Sequence, residues 1–278
     1  MYISLQSTLT AGRVPWPEFA RLAAKVGFLG TDVDLGKAQA AGMEATMALL
    51  AQTRLKPAVV GLPVEFRKDD AAFNETLKGL DAAGKFAAQM GCPRMTTWIL
   101  SSSDLPKEEN WKLLKGRFVP CAEILGKHGV RLGFEFLGPL HIRKARPHEF
   151  IANMAEMLTF AKEVGANAGI LLDSWHWHHA GSTVQDILAA GKERIVHVQV
   201  ADAPKLPPEQ IKDSERLMPG EGILDWKAFF GALMKINYTD GISPEVFGRG
   251  LKDMPPEEGA KLGLKTTTDV MRKAGVLS

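Results

Sequence analysis

Short apolar runs alternate with longer stretches of helical period along the whole chain. Runs of four to seven residues rich in Val, Ile, Leu and Phe read as buried strands: Tyr2–Leu5, Gly30–Leu35, Lys56–Leu62, Arg94–Leu100, Arg131–Phe136, Ala168–Leu172, Ile195–Val200 and Gly241–Val246. Between them, apolar residues recur at the spacing of a helix that buries one face. From Asp69 to Met90 that stripe is Phe73, Leu77, Leu80, Gly84, Ala87 and Ala88, and over Lys107–His128 it runs through Leu113, Leu114, Phe118, Cys121, Ile124 and Leu125. Pro147–Val164, Trp226–Lys235 and Pro256–Ala274 follow the same logic. Pro17-Glu18 and Pro147-His-Glu149 read as helix openings, since Pro is tolerated in the first turn. Gly27, Gly91, Gly129, Gly165 and Gly275 each follow a helical stretch and fit the position just past a helix end.

Strict alternation of strand and helix implies parallel pairing with right-handed crossovers. Eight such units close into a single (β/α)8 barrel (a TIM barrel), one domain over residues 1–278. An open doubly wound sheet is the competing architecture, but no G-x-G-x-x-G turn follows the first strand. The Pro-rich, charged stretch Ala203–Met218 reads as a surface excursion within the domain and not as a boundary.

Composition adds exclusions. The 278 residues are 45% hydrophobic and 24% charged, with 34 Lys plus Arg against 32 Asp plus Glu and a net charge of +2. That balance argues against a broad nucleic-acid footprint. No apolar run is long enough to span a bilayer, and Met1-Tyr-Ile-Ser-Leu-Gln6 lacks the form of a signal peptide. Cys92 and Cys121 read as reduced core residues. The expectation is a soluble, cytoplasmic protein with no nucleic-acid or membrane partner.

In a barrel of this kind, chemistry gathers at the C-terminal strand ends. The fifth strand carries Glu135 inside an apolar run. The sixth delivers Asp173 and then His176, His178 and His179. The seventh alternates with period two, so His197 and Gln199 share a face, and the eighth buries Glu245. A carboxylate in an apolar strand is costly unless paired or bound to a metal. Singly, each would be expected to pair with a Lys or Arg across the barrel. Together, three acidic positions carry −3 and have too few basic residues nearby in sequence, which points to a divalent cation.

Five segments carry a resemblance: Gly133-Phe-Glu-Phe-Leu-Gly-Pro139, Leu172-Asp-Ser-Trp-His176, Val196-His-Val-Gln-Val-Ala-Asp-Ala203, Pro219-Gly-Glu-Gly222 and Gly241-Ile-Ser-Pro-Glu245. In this order the chain resembles the xylose-isomerase-like barrel superfamily of sugar isomerases and epimerases, which also holds endonuclease-IV-like proteins. The resemblance implies that Glu135, Asp173, Gln199 and Glu245 are the metal ligands. It makes Glu135 and Glu245 the catalytic acid–base pair, with His176 either behind the ligands, supporting them, or polarising the substrate. Many epimerases of this group place His where Gln199 stands, and His197 is the alternative ligand if the register differs. An amide oxygen shifts preference toward Mn²⁺ or Mg²⁺, with Co²⁺ and Zn²⁺ as further candidates. His141, Arg143, His179 and Trp16 are candidate substrate contacts. The alternative readings are solvated loop charges for His141 and Arg143, rim packing for His178 and His179, and a core role for Trp16.

The function implied is a metal-dependent isomerase or epimerase of a ketose, keto-sugar or inositol-like substrate, working by proton abstraction next to a carbonyl through an enediolate. The alternative is a metal-dependent lyase on the same site, a dehydratase of the dehydroshikimate type or one that eliminates from 3-keto-glycosides. A repair nuclease would need further ligands, yet the second and third strand ends offer Asp32, Asp34 and Glu65 and no His. A non-catalytic sugar-binding barrel is the fourth reading. Family habit implies a homo-oligomer.

Overall fold

Apolar runs that bury both faces must be covered by helices on one side and by each other on the other, and a closed barrel does both. A computed structural model describes residues 1–277. Eight parallel strands form a closed ring: β1 (Tyr2–Leu5), β2 (Gly30–Val33), β3 (Lys56–Gly61), β4 (Arg94–Ile99), β5 (Arg131–Phe136), β6 (Ala168–Asp173), β7 (Ile195–Val200) and β8 (Gly241–Pro244). Each pairs with its sequence neighbours, and β8 returns to β1. The expected single (β/α)8 barrel is therefore observed. Among the described residues no helix is long and apolar enough to cross a membrane.

The register sets the heights that matter for the site. Trp98 pairs with Glu135, Asp173 with Gln199, and Gln199 with Ser243. These positions stand level at the C-terminal rim. On β5 the neighbours of Glu135 turn outward, where Phe134 packs against Phe118 at 4.7 Å and Phe160 at 5.6 Å. A fully buried Phe of this kind contributes roughly 2–3 kcal/mol. At the opposite end Arg94 closes the barrel floor. Its Nε donates to the Ala58 carbonyl at 2.6 Å and its Nη1 to Asp240 at 3.1 Å.

Three expectations about helices change. The stretch Asp69–Met90 divides into Asp70–Leu77 and Leu80–Gln89, with Gly79 at the break. Pro147 opens no helix. His148–Glu149 is instead extended and pairs antiparallel with Ser102–Ser103. The helix runs from Met154 to Val164, where Asn153 caps it by accepting from the Glu156 N–H at 3.0 Å. A side-chain cap satisfies an orphan N–H, which a proline at the first turn cannot do, so Asn153 sets the start. Likewise Asp34 caps a helix beginning at Leu35, which ends β2 at Val33. Both cysteines are buried and free.

Candidate active site

Four strands bring their polar residues to the rim. Glu135, Asp173 and Gln199 are buried there, and Glu245 follows directly on β8, held by its N–H bond to the Val200 carbonyl at 3.0 Å. One ligand atom from each of Glu135, Asp173 and His176 lies within 4.8 Å of the others. Gln199 Nε2 donates to Glu245 Oε1 at 3.1 Å, and Gln6 Nε2 reaches the same oxygen at 2.6 Å. That bond fixes which way the Gln199 amide faces. Its Oε1, like Glu135 Oε1, is buried without a hydrogen-bond partner among the described residues.

The expectation that these carboxylates lack a basic partner is overturned. The stretch Ala203–Met218 is no mere surface excursion, because it turns inward and buries Arg216 to 2% exposure. Arg216 Nη1 donates to Asp173 Oδ2 at 2.7 Å and Glu245 Oε2 at 3.1 Å, and Nη2 donates to Asp213 Oδ1 at 2.9 Å. Asp202 anchors this loop. Its backbone pairs with Leu217, and its carboxylate accepts from Gly220 N–H at 2.8 Å, Leu224 N–H at 3.0 Å and Trp226 Nε1–H at 2.9 Å. Arg216, Asp213 and Gln6 were missed from sequence. One signal was available, since Arg216 stands three residues before the Pro219-Gly-Glu-Gly222 segment.

Electrostatics follow from burial. Glu135 is held well above the carboxylate range by desolvation, reinforced by the charges of Glu245 and Asp173. Glu245 is pushed up to about 7, again by burial first, with Arg216 opposing. Burial alone would lower the Arg216 pKa. The surrounding Asp173, Glu245, Asp213 and Glu135 outweigh it and push it up, so the guanidinium is a fixed cation. Fully ionised, Glu135, Asp173, Asp213 and Glu245 against Arg216 leave a formal charge of −3. His176 is buried, and its pKa is driven well down by desolvation and then by Arg216. Its Nδ1 faces the Gly138 N–H at 3.3 Å and its Nε2 faces Arg216 Nη2 at 3.1 Å. A neutral ring accepts on one nitrogen only, and both donors oppose the doubly protonated form. Nε2 also lies 3.6 Å from Glu135 Oε1. Gly138 must be glycine for this approach, since a Cβ there would fall 2.3 Å from the His176 carbonyl.

Two partnerless buried oxygens, on Glu135 and Gln199, in a mouth where one guanidinium faces four carboxyl groups, suit a divalent cation. Glu135, Asp173, Gln199 and Glu245 all offer oxygen, the donor set of Mn²⁺ or Mg²⁺. His197, the other seventh-strand residue, instead bonds Ser243 Oγ through Nε2 at 2.8 Å.

The expected substrate contacts fall in different hollows of the rim. Trp16 lines a cavity of about 750 Å³ together with Gln199, Gln6 and Asp32. Arg143 and His179 line a second hollow of about 440 Å³. There Glu149 holds Arg143 Nε at 2.8 Å, and the His179 ring packs on Trp175 at 4.3 Å, its pKa lowered by burial to about 4. His178 lines the same hollow. His141 lies in a third hollow beside Phe247, its Nε2 accepting from the Asp213 N–H at 3.5 Å.

Residues 10–272 match the family model of the xylose isomerase-like TIM barrel. A curated relative, the inosose isomerase of Bacillus subtilis, is 25% identical over 222 residues, 79% of this chain and 77% of that protein. The 3-dehydroshikimate dehydratase of Pseudomonas putida is 27% identical over 146 residues, 52% of this chain and 22% of that protein. Among solved structures, a xylose isomerase domain protein from Alicyclobacillus acidocaldarius superposes with a TM-score of 0.90 at 28% identity, covering 99% of both chains.

Proposed function

The chain belongs to the xylose isomerase-like TIM-barrel family, and from that premise we propose that it is a divalent-metal-dependent isomerase or epimerase of a polyhydroxylated ketone: a ketose, keto-sugar or inositol-like ring. The observation that carries this reading is the pair of buried, partnerless oxygens of Glu135 and Gln199, set among three carboxylates at the mouth. Glu135, Asp173, Gln199 and Glu245 would hold the ion. When bound, a divalent cation draws electron density from carbonyl and hydroxyl oxygens and acidifies the C–H between them.

The chain's own residues would then do the following work. Glu135 and Glu245 stand on separate strands, β5 and the end of β8, so one removes a proton from the carbon on one face and the other returns it on the opposite face. His176, neutral and wedged between Gly138 and Arg216 with Nε2 3.6 Å from Glu135 Oε1, would steady Glu135 and Arg216 beside the substrate. Arg216 is the fixed cation beside Asp173 and Glu245 and limits how much negative charge the mouth carries. Trp16 supplies an apolar wall for the ring's C–H face. His141, Arg143 and His179 are placed further out on the rim, where they would meet a longer substrate.

A lyase is the second reading, supported by the similarity to the Pseudomonas dehydratase. Both reactions begin with the same deprotonation and differ in whether a β-hydroxyl leaves. Incubating the Mn²⁺-loaded protein with an inosose or a ketose in D₂O and following it by NMR separates them. Deuterium at the carbon beside the carbonyl together with a new epimer or isomer supports the isomerase reading. An olefinic signal without an epimer supports the lyase, and no exchange into any polyhydroxylated ketone refutes both.

A further inference from the structure

On the β2 wall of the 750 Å³ cavity stands a carboxyl group that the proton-transfer scheme does not use. Asp32, on β2, accepts at Oδ1 from Ser4 Oγ at 2.8 Å and from Ser243 Oγ at 2.8 Å. Ser243 Oγ gives its proton to Asp32, so it accepts from His197, whose Nε2 lies 2.8 Å away and must carry the hydrogen. Three strands, β1, β7 and β8, thus contribute side chains that hold one oxygen of one carboxyl group. The other oxygen, Oδ2, has no hydrogen-bond partner among the described residues and is not sealed from the cavity.

The two cations that line this cavity, Arg13 and Lys37, are bound to other groups. Asp34 is paired with Lys37 at 3.6 Å, and Arg13 is bound to the carbonyls of Leu251 and Met254. Asp32 forms no ion pair among the described residues. Gln6 and Gln199, which both donate to Glu245 Oε1, line the same cavity, and its β3 side is opened by Gly61, where a Cβ would meet nothing within 4 Å.

We propose that Asp32 is a specificity-determining residue that reads a hydroxyl group on the end of the substrate remote from the metal-holding carboxylates, and so selects rings or chains with hydroxyls along their full length over short ketones. The proposal rests on the polyhydroxylated-ketone reading above. A single fixed carboxyl oxygen that forms no ion pair among the described residues suits a hydroxyl group. Burial pushes the Asp32 carboxyl up to about 7, against the two serine hydrogen bonds. A hydroxyl suits both protonation states, because it donates to the ionised group and accepts from the protonated one.

The test is calorimetric binding to the Mn²⁺-loaded protein of two probes: myo-inositol, a ring with a hydroxyl on every carbon, and dihydroxyacetone, a three-carbon ketone too short to reach both the metal and Asp32. Asp32→Asn and Asp32→Ala should weaken myo-inositol binding roughly 10- to 100-fold, the range of a hydrogen bond to a charged group. Dihydroxyacetone and Mn²⁺ itself should bind as in the wild type. Ser4→Ala keeps the carboxyl but loosens it, and should fall between wild type and Asp32→Ala. Equal losses for both probes, or none, overturn the assignment. Failure of the wild type to bind either probe refutes the polyhydroxylated-ketone reading itself, and this inference with it.

Discussion

Replacing Arg216 with Met tests how the barrel mouth balances its charge. The side chain keeps its apolar stem but loses a guanidinium that is 2% exposed and lies 2.7 Å from Asp173, 2.9 Å from Asp213 and 3.1 Å from Glu245. Breaking one side of a buried ion-pair network leaves the carboxylates uncompensated and costs about 3–5 kcal/mol. For a chain of this length each kcal/mol moves Tm by about 2–3 °C, so the metal-free variant should melt roughly 6–15 °C below the wild type at pH 8. The assay is thermal unfolding followed by circular dichroism, with chelator and then with Mn²⁺. A divalent ion present at about 100 times its Kd should return about 2.7 kcal/mol. The variant should gain at least as much from Mn²⁺ as the wild type, because the ion then carries the whole charge burden. Arg216→Lys should lie in between, since a single ammonium cannot bridge Asp173, Asp213 and Glu245 at once. A Tm within 1 °C of wild type in chelator would refute the reasoning.

Other outcomes follow from neighbouring residues. Asp202→Ala removes the acceptor of the Gly220, Leu224 and Trp226 bonds, and should cost about 3 kcal/mol and open the loop 204–216 to limited proteolysis. An intact, protease-resistant loop would contradict the anchoring role. Asp32 should give stability a slope in pH. Its folded pKa of about 7 lies above the ordinary 3.8, so the folded state holds the proton more tightly and stability falls as pH rises from about 4 to 7. The penalty is complete above pH 7, at up to about 4 kcal/mol. Asp32→Asn should flatten that slope in urea unfolding at pH 5 and pH 8, and parallel profiles would exclude the effect. Gly61→Leu should shrink the cavity and raise KM with Tm within about 1–2 °C, because a Cβ there meets nothing within 4 Å. An unchanged KM would place the substrate elsewhere.

The parts of the molecule legible in the sequence are those decided locally. The bounds of β1, β5 and β7 follow directly from their apolar runs, because a strand buried on both faces is mostly apolar and each polar residue in it stands out. That same contrast exposed Glu135, Asp173, Gln199 and Glu245. Helix starts were less legible where two signals competed, as at Pro147 against Asn153, since the geometry of a cap decides and composition does not. Arg216 was hidden for a different reason. It lies in a charged, Pro-rich stretch that resembles solvated loop, and only the tie of Asp202 to Leu217, Gly220 and Leu224 turns it inward. Asp32 stood in view at a strand end. Its use depends on Ser4 and Ser243, 28 and 211 residues away, and no local pattern announces that meeting.

The measurement that bears most directly on the whole account is anomalous diffraction from crystals grown with Mn²⁺. One strong peak bounded by oxygens of Glu135, Asp173, Gln199 and Glu245 is the expected result, with His197 still bonded to Ser243 and away from the ion. A mouth without anomalous density at saturating Mn²⁺ would contradict it.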